Sequence, residues 1–253
     1  PRRCPFDFQF LVFACGDTYF FEIVGSHTNV VRIEKNGEVL LNKPFSEEAA
    51  QPPESRRSLT VEDIIAFADE VDLDDVRAPI ARQIEYNTAI AEAGLTGQYG
   101  AAIGKILLDS YGDSVQNRAK AWAAAGSDAR MNGCEKPVVI NSGSGNQGMT
   151  ASLPVVVYAR ELKASEEQLY RALVVSNLVT IHLKPGIGSL SAYCGATSAG
   201  AGAGAGVCYL YGGRYDEIAH TVVNALAINS GMLCDGEKAS CAAKIASGVE
   251  AGL

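Results

Sequence analysis

A chain of 253 residues with 47% hydrophobic content is long enough for one large domain or two small ones and carries ample material for a packed core. Its formal net charge of −8 leaves no broad basic surface for a phosphate backbone, which argues against nucleic acid as the main partner and leaves a small molecule or a protein. Seven cysteines, an odd number with no secretory leader, make a disulfide framework a poor explanation and point to a reducing, cytoplasmic compartment.

Residues 8–41 read as a small antiparallel meander. Phe8, Phe10, Val12 and Ala14 alternate, Gly16-Asp17 reads as a turn, and the aromatic, β-branched run Tyr19 to Val24 follows. Val30 to Ile33 leads into Asn36-Gly37, a strong hairpin signal. Between the second and third strands lies the polar stretch Gly25-Ser26-His27-Thr28-Asn29, where His27 reads first as a hydrogen-bonded turn residue. Asn42 to Arg57, with Pro44, Pro52 and Pro53, is read as a linker, dividing a region 1–57 from a helical domain 58–253.

Beyond the linker the apolar period changes from two to about 3.6. Thr60 is placed to cap a helix with Val61, Ile64, Ile65 and Ala68 on one face, and a second helix holds Val76, Ile80 and Ile84 and ends near Gly94. Ala101 to Ala125 predicts another, broken or bent near Gly112 and stopped by Gly126, which leaves residues 126–133 as a polar loop. In that loop Asp128 and Arg130 either pair with each other on the surface or leave the guanidinium fork free for a substrate carboxylate.

Asn141 to Ser152 is the stretch around which the rest is organised. Gly143, Gly145 and Gly148 allow close approach of a ligand, and a helix starting near Asn146 would turn free N–H groups toward a carboxylate or phosphate. Ser142, Ser144, Asn146 and Gln147 could orient what sits there; a tight turn with an N-cap explains the same residues. The loop lacks the Gly-Lys-Ser/Thr ending of a P-loop, and no dinucleotide fingerprint follows a strand, so a nucleotide enzyme ranks last.

Ser165 to Gln168 is a capping box that opens a helix ended by Lys184-Pro185-Gly186. Residues 189–212 contain no charge but are mostly Gly, Ala, Ser and Thr, which favours a buried central helix over a membrane span. Arg214 to Asn229 supplies a further helix, and a last one starts at Glu237 with Cys241 in its first turns. Cys4, Cys15 and Cys208 read as small core residues. Cys194 and Cys234 sit among small and glycine residues where an inorganic group could be admitted, and Cys241 follows Cys234 by seven residues, near enough to reach one centre, although buried inert thiols are the default and no Cys-x-x-Cys pair is present. The fold class expected is α+β, a β-meander followed by a mainly helical domain with a buried Gly/Ala-rich helix.

Six stretches, 25–29, 127–131, 141–150, 189–197, 213–215 and 230–241, closely resemble the iron-sulfur L-serine dehydratase alpha-chain family, in particular its single-chain branch that includes the L-cysteine desulfidases. The resemblance implies an oxygen-sensitive 4Fe-4S cluster and β-elimination from L-cysteine or L-serine without pyridoxal phosphate. It matches Cys194 and Cys234 to cluster ligands, with Cys241 in a matching stretch, and makes His27 and Arg130 candidate catalytic groups beside a substrate seat at residues 142–148. The family's N-terminal Gly-Cys-Thr-Glu-Pro motif, which carries one of the cluster cysteines, does not occur, so the chain is read as an internal to C-terminal piece of a longer protein with that ligand outside it. A homo-oligomer is left open, and a non-catalytic iron-sulfur sensor or small-molecule-binding module is the rival of another class.

Overall fold

The computed structural model describes residues 7–25, 29–45, 58–188 and 191–253. His27, Cys4 and most of the expected linker lie outside the described residues. The chain is α+β and divides into two compact units between residues 55 and 56.

The first unit is a four-stranded antiparallel meander, β1 (Asp7–Ala14), β2 (Asp17–Val24), β3 (Val30–Lys35) and β4 (Glu38–Asn42), in sequential order. Two of its turns are two-residue loops with both residues at positive φ, Cys15-Gly16 and Asn36-Gly37, whose twist matches that of the flanking strands. The first turn thus falls one residue earlier than Gly16-Asp17: Asp17 pairs with Ala14 inside the ladder. Cys15, at its tip, is exposed and not a core residue. Asn36 ties the two turns together, donating from Nδ2 to Asp17 Oδ1 at 2.7 Å and accepting from the Thr18 N–H at 2.8 Å.

The second unit is helical: α1 (Val61–Glu70), α2 (Leu73–Thr96), α3 (Ile103–Tyr111), α4 (Val115–Met131), α5 (Gly145–Glu161), α6 (Glu166–Ile187), α7 (Gly195–Leu210), α8 (Tyr215–Ile228) and α9 (Cys241–Gly252). Thr60 caps α1 through the Asp63 N–H, and Ser165 and Gln168 form the expected box on α6. Several stops move. Gly94 and Gly126 lie inside α2 and α4, because each is a point of close contact: a Cβ on Gly94 would stand 2.0 Å from the Ala125 carbonyl oxygen, and one on Gly126 2.8 Å from Met149 Sδ. Residues 127–131 are therefore helical, not a loop. Helix α6 runs through Pro185 to Ile187, and α9 begins at Cys241 rather than Glu237.

Helix α7 is the buried axis, surrounded by α5, α6, α8 and α9 and buried from Ala196 to Val207. Gly200 and Gly204 make its seam with α9. A Cβ on either would come within 2.1 Å of the carbonyl oxygen of Gly248 and Gly252, respectively. Because residue numbers rise together along that seam, α7 and α9 run parallel. Followed back toward their starts, the same register sets Cys194 beside the first turns of α9, the helix that Cys241 opens. Among the described residues no helix is long and apolar enough to cross a membrane.

Candidate functional site

Asn141 and Ser144 close a tight turn through two backbone bonds, Asn141 N to Ser144 O at 3.1 Å and Ser144 N to Asn141 O at 3.0 Å. Ser142 and Gly143 occupy its corner with φ of 51° and 86°. Helix α5 starts immediately after, with Ser144 in the N-cap position but making no side-chain cap bond, so the N–H groups of Gly145, Asn146 and Gln147 are left uncapped by it. The glycines divide in role. Gly143 has open space where a Cβ would be, while a Cβ on Gly148 would meet the Val139 carbonyl oxygen at 2.0 Å, so Gly148 serves contact with the preceding segment.

Arg130, in the last turn of α4, lies across this helix start. Its Nη1 donates to Asn146 Oδ1 at 3.2 Å, and a Cβ on Gly145 would be 2.7 Å from its Nε. Its Nη2 reaches Glu237 Oε2 at 3.7 Å. A guanidinium placed against the positive end of a helix is electrostatically uphill unless an anion joins them, and one distant carboxylate offsets this only in part.

Asp128 is not Arg130's partner. It is buried and accepts the Ile103 N–H at 2.7 Å, capping α3 from across the fold where Ala102 has no side-chain oxygen to do so. Burial pushes its carboxyl pKa up, while the N–H groups of Ile103, Gly104 and Ala101 pull it back.

The turn is held from beneath by buried and half-buried amides that sequence spacing does not show. Asn87 accepts the Val139 N–H at 2.9 Å and donates to Ser152 Oγ at 3.0 Å. Gln83 on α2 and Asn177 on α6 exchange two hydrogen bonds, and Asn141 joins them by donating to Asn177 Oδ1 at 2.8 Å.

The first turn of α5 abuts that of α7: a Cβ on Gly195 would lie 2.5 Å from Gln147 Nε2. Cys194, the residue before Gly195, is the N-cap of α7. Its N–H donates to the Met232 carbonyl at 3.0 Å, and the Cys234 N–H donates to the Ala192 carbonyl at 2.6 Å, with Tyr193 and Leu233 forming the bridge between. Residues flanking such a bridge share one side of it, so Cys194 and Cys234 lie on the same side, opposite Tyr193 and Leu233. Burial raises the Cys194 thiol pKa, the Ala196 N–H lowers it, and the thiols of Cys234 and Cys241 and the Lys244 ammonium all act on it. Lys244 pairs with Asp235, whose carboxyl is held far below the usual range. Cys194 is buried, Cys241 half-buried and Cys234 exposed. Three soft thiol donors gathered in one region fit the chemistry of an iron-sulfur group. Among the described residues no three His, Cys, Asp or Glu side chains are placed to grip a single metal ion.

The family model for the serine dehydratase alpha chain matches residues 26–253. The chain belongs to the serine dehydratase alpha-chain family. It is 58% identical over 248 residues to UPF0597 protein DSY1109 of Desulfitobacterium hafniense, covering 98% of this chain and 58% of that one. It is 55% identical to a UPF0597 protein of Lachnoclostridium phytofermentans (92% of this chain, 55% of the relative) and 52% identical to one of Treponema denticola (94% and 57%). The chain thus spans little more than half the length of these relatives. No solved structure matches it.

Proposed function

We propose that this chain carries the substrate seat and thiol ligands of a pyridoxal-phosphate-independent lyase that eliminates the β-substituent of a small amino acid, L-cysteine in the first instance and L-serine as the alternative. The observation that carries the reading is the meeting of the α5 and α7 starts at Gln147 and Gly195, with Arg130 spanning from the α5 start to Glu237 in the Cys234–Cys241 segment. In this reading an anion seat and three thiols share one place. In this reading the uncapped N–H groups of α5 and the Arg130 guanidinium orient the substrate carboxylate. Cys194, Cys234 and Cys241 would hold an iron-sulfur cluster, which when bound supplies an iron with an open position as Lewis acid. The buried setting of Cys194 keeps water from the inner side of the thiols and raises the pKa of Cys194, an effect that the nearby Lys244 ammonium offsets in part. The preference for cysteine comes from the branch that the sequence resembles.

The test is anaerobic reconstitution with iron and sulfide, followed by absorption and EPR spectra with and without L-cysteine and assays for sulfide and pyruvate. A spectrum perturbed by L-cysteine with both products formed supports the lyase; pyruvate from L-serine with no sulfide from L-cysteine transfers it to the dehydratase. A second reading, a small-molecule-binding module without turnover, is favoured by the lack of a closed metal-ligand set among the described residues. A spectrum indifferent to both amino acids, with no product, would select it.

A further inference from the structure

The direction in which Ser142 points its hydroxyl hydrogen is fixed by groups that cannot be reversed. The Leu173 backbone carbonyl is an acceptor only, and Asn177 Nδ2 donates to it at 2.8 Å. Asn177 Oδ1 therefore faces the other way, where it accepts from Gln83 Nε2 at 2.9 Å and Asn141 Nδ2 at 2.8 Å. Asn141 Nδ2 also donates to the backbone carbonyl of Asn177 at 3.2 Å, a second acceptor that cannot change role. With its NH₂ so engaged, Asn141 turns Oδ1 toward Ser142, 2.7 Å from the hydroxyl. Ser142 has one hydrogen and must give it there. What remains on its oxygen is lone pairs, so toward anything arriving from solvent Ser142 is an acceptor alone. The side chain is half-buried, and no other group among the described residues donates to it. The uncapped N–H groups at the start of α5 and the Arg130 guanidinium can only donate.

We propose that Ser142 Oγ accepts a hydrogen bond from the α-ammonium of the amino-acid substrate, and that Asn141, Asn177 and Gln83 are positioning residues that hold it in the accepting state. The inference rests on the amino-acid reading above and adds which end of the zwitterion goes where: carboxylate to the donors of α5 and Arg130, ammonium to Ser142. The site thereby selects for a free amino group and against the corresponding deaminated acid.

Calorimetry on the full chain with L-serine and with 3-hydroxypropionate, which lacks the amino group, tests this. Ser142→Gly suits the positive φ and keeps the turn, so the fold is retained while the acceptor is lost. L-serine affinity is expected to fall by about tenfold or more, with 3-hydroxypropionate unchanged. Asn177→Leu, which leaves Asn141 Nδ2 only its longer bond to the backbone carbonyl at position 177, should weaken the same selectivity without lowering 3-hydroxypropionate affinity. Equal losses for both probes, or no loss in Ser142→Gly, would overturn the role of Ser142 alone. Failure of the unaltered chain to bind either probe would overturn the amino-acid reading and this inference with it.

Discussion

Replacing Gly200 by alanine puts the parallel seam of α7 and α9 to a direct test. The added methyl carbon would stand 2.1 Å from the Gly248 carbonyl oxygen, where ordinary contact begins at 3.4 Å, so the two backbones must part by about 1.3 Å. The obstacle is backbone, and no rotamer change relieves it. Overpacking of this kind costs about 1–3 kcal/mol, and a backbone clash belongs at the upper end. Alanine returns about 1 kcal/mol of helix propensity. The net loss is about 2 kcal/mol, which for a unit of this size lowers Tm by about 4–8 °C. Gly186→Ala is the control: it lies within α6 with nothing inside 4 Å of its would-be Cβ, and should gain about 0.5 kcal/mol. Thermal melts followed by circular dichroism read both. A Gly200→Ala protein as stable as the parent would refute the contact and, with it, the register that sets Cys194 beside the first turns of α9.

Cys194→Ser and Cys234→Ser should each abolish the iron-sulfur absorption regained on anaerobic reconstitution, whereas Cys208→Ser, on the far part of α7, should leave it intact. Arg130→Gln removes the bond to Asn146 and is expected to raise KM for the amino acid by about ten- to a hundredfold with a smaller change in kcat, read by steady-state assay. Asp128→Ala uncaps α3 and should cost about 1–2 kcal/mol in urea unfolding. Because the folded pKa of Asp128 is raised above 3.8, its protonation contributes stability that is present below about pH 3.8 and lost as pH rises through the folded value. Asp128→Asn should flatten that part of the stability-against-pH curve.

Capping and turn chemistry were legible locally: Asn36-Gly37, Thr60 and Ser165 each act on residues within a few positions of themselves. Gly94 and Gly126 misled because a glycine that ends a helix and one that admits a neighbouring backbone look the same in sequence. Ala125 and Met149 decide between them, and both are tertiary partners. Asp128 reads as a loop residue for a related reason, since the helix end it caps begins 25 positions earlier. The residues of the proposed seat at 142–148 and the thiols were legible as residue types. Their orientation was not, because the amides that aim Ser142 come from α2 and α6, and the register that sets Cys194 beside the first turns of α9 comes from a glycine seam about two to three turns away.

Two parallel helices in contact cannot be joined by a short hairpin. After α7 has carried the chain about 24 Å from Cys194, something of similar length must carry it home before α9 can start beside it. Helix α8, 14 residues and about 21 Å long, spans that homeward leg, and residues 229–240 complete it. Cys234 lies where the journey finishes. Its meeting with Cys194 is thus a matter of topology as much as of local sequence: shortening α8 by a turn would leave Cys234 stranded partway along α7, with every thiol still present and their common location gone.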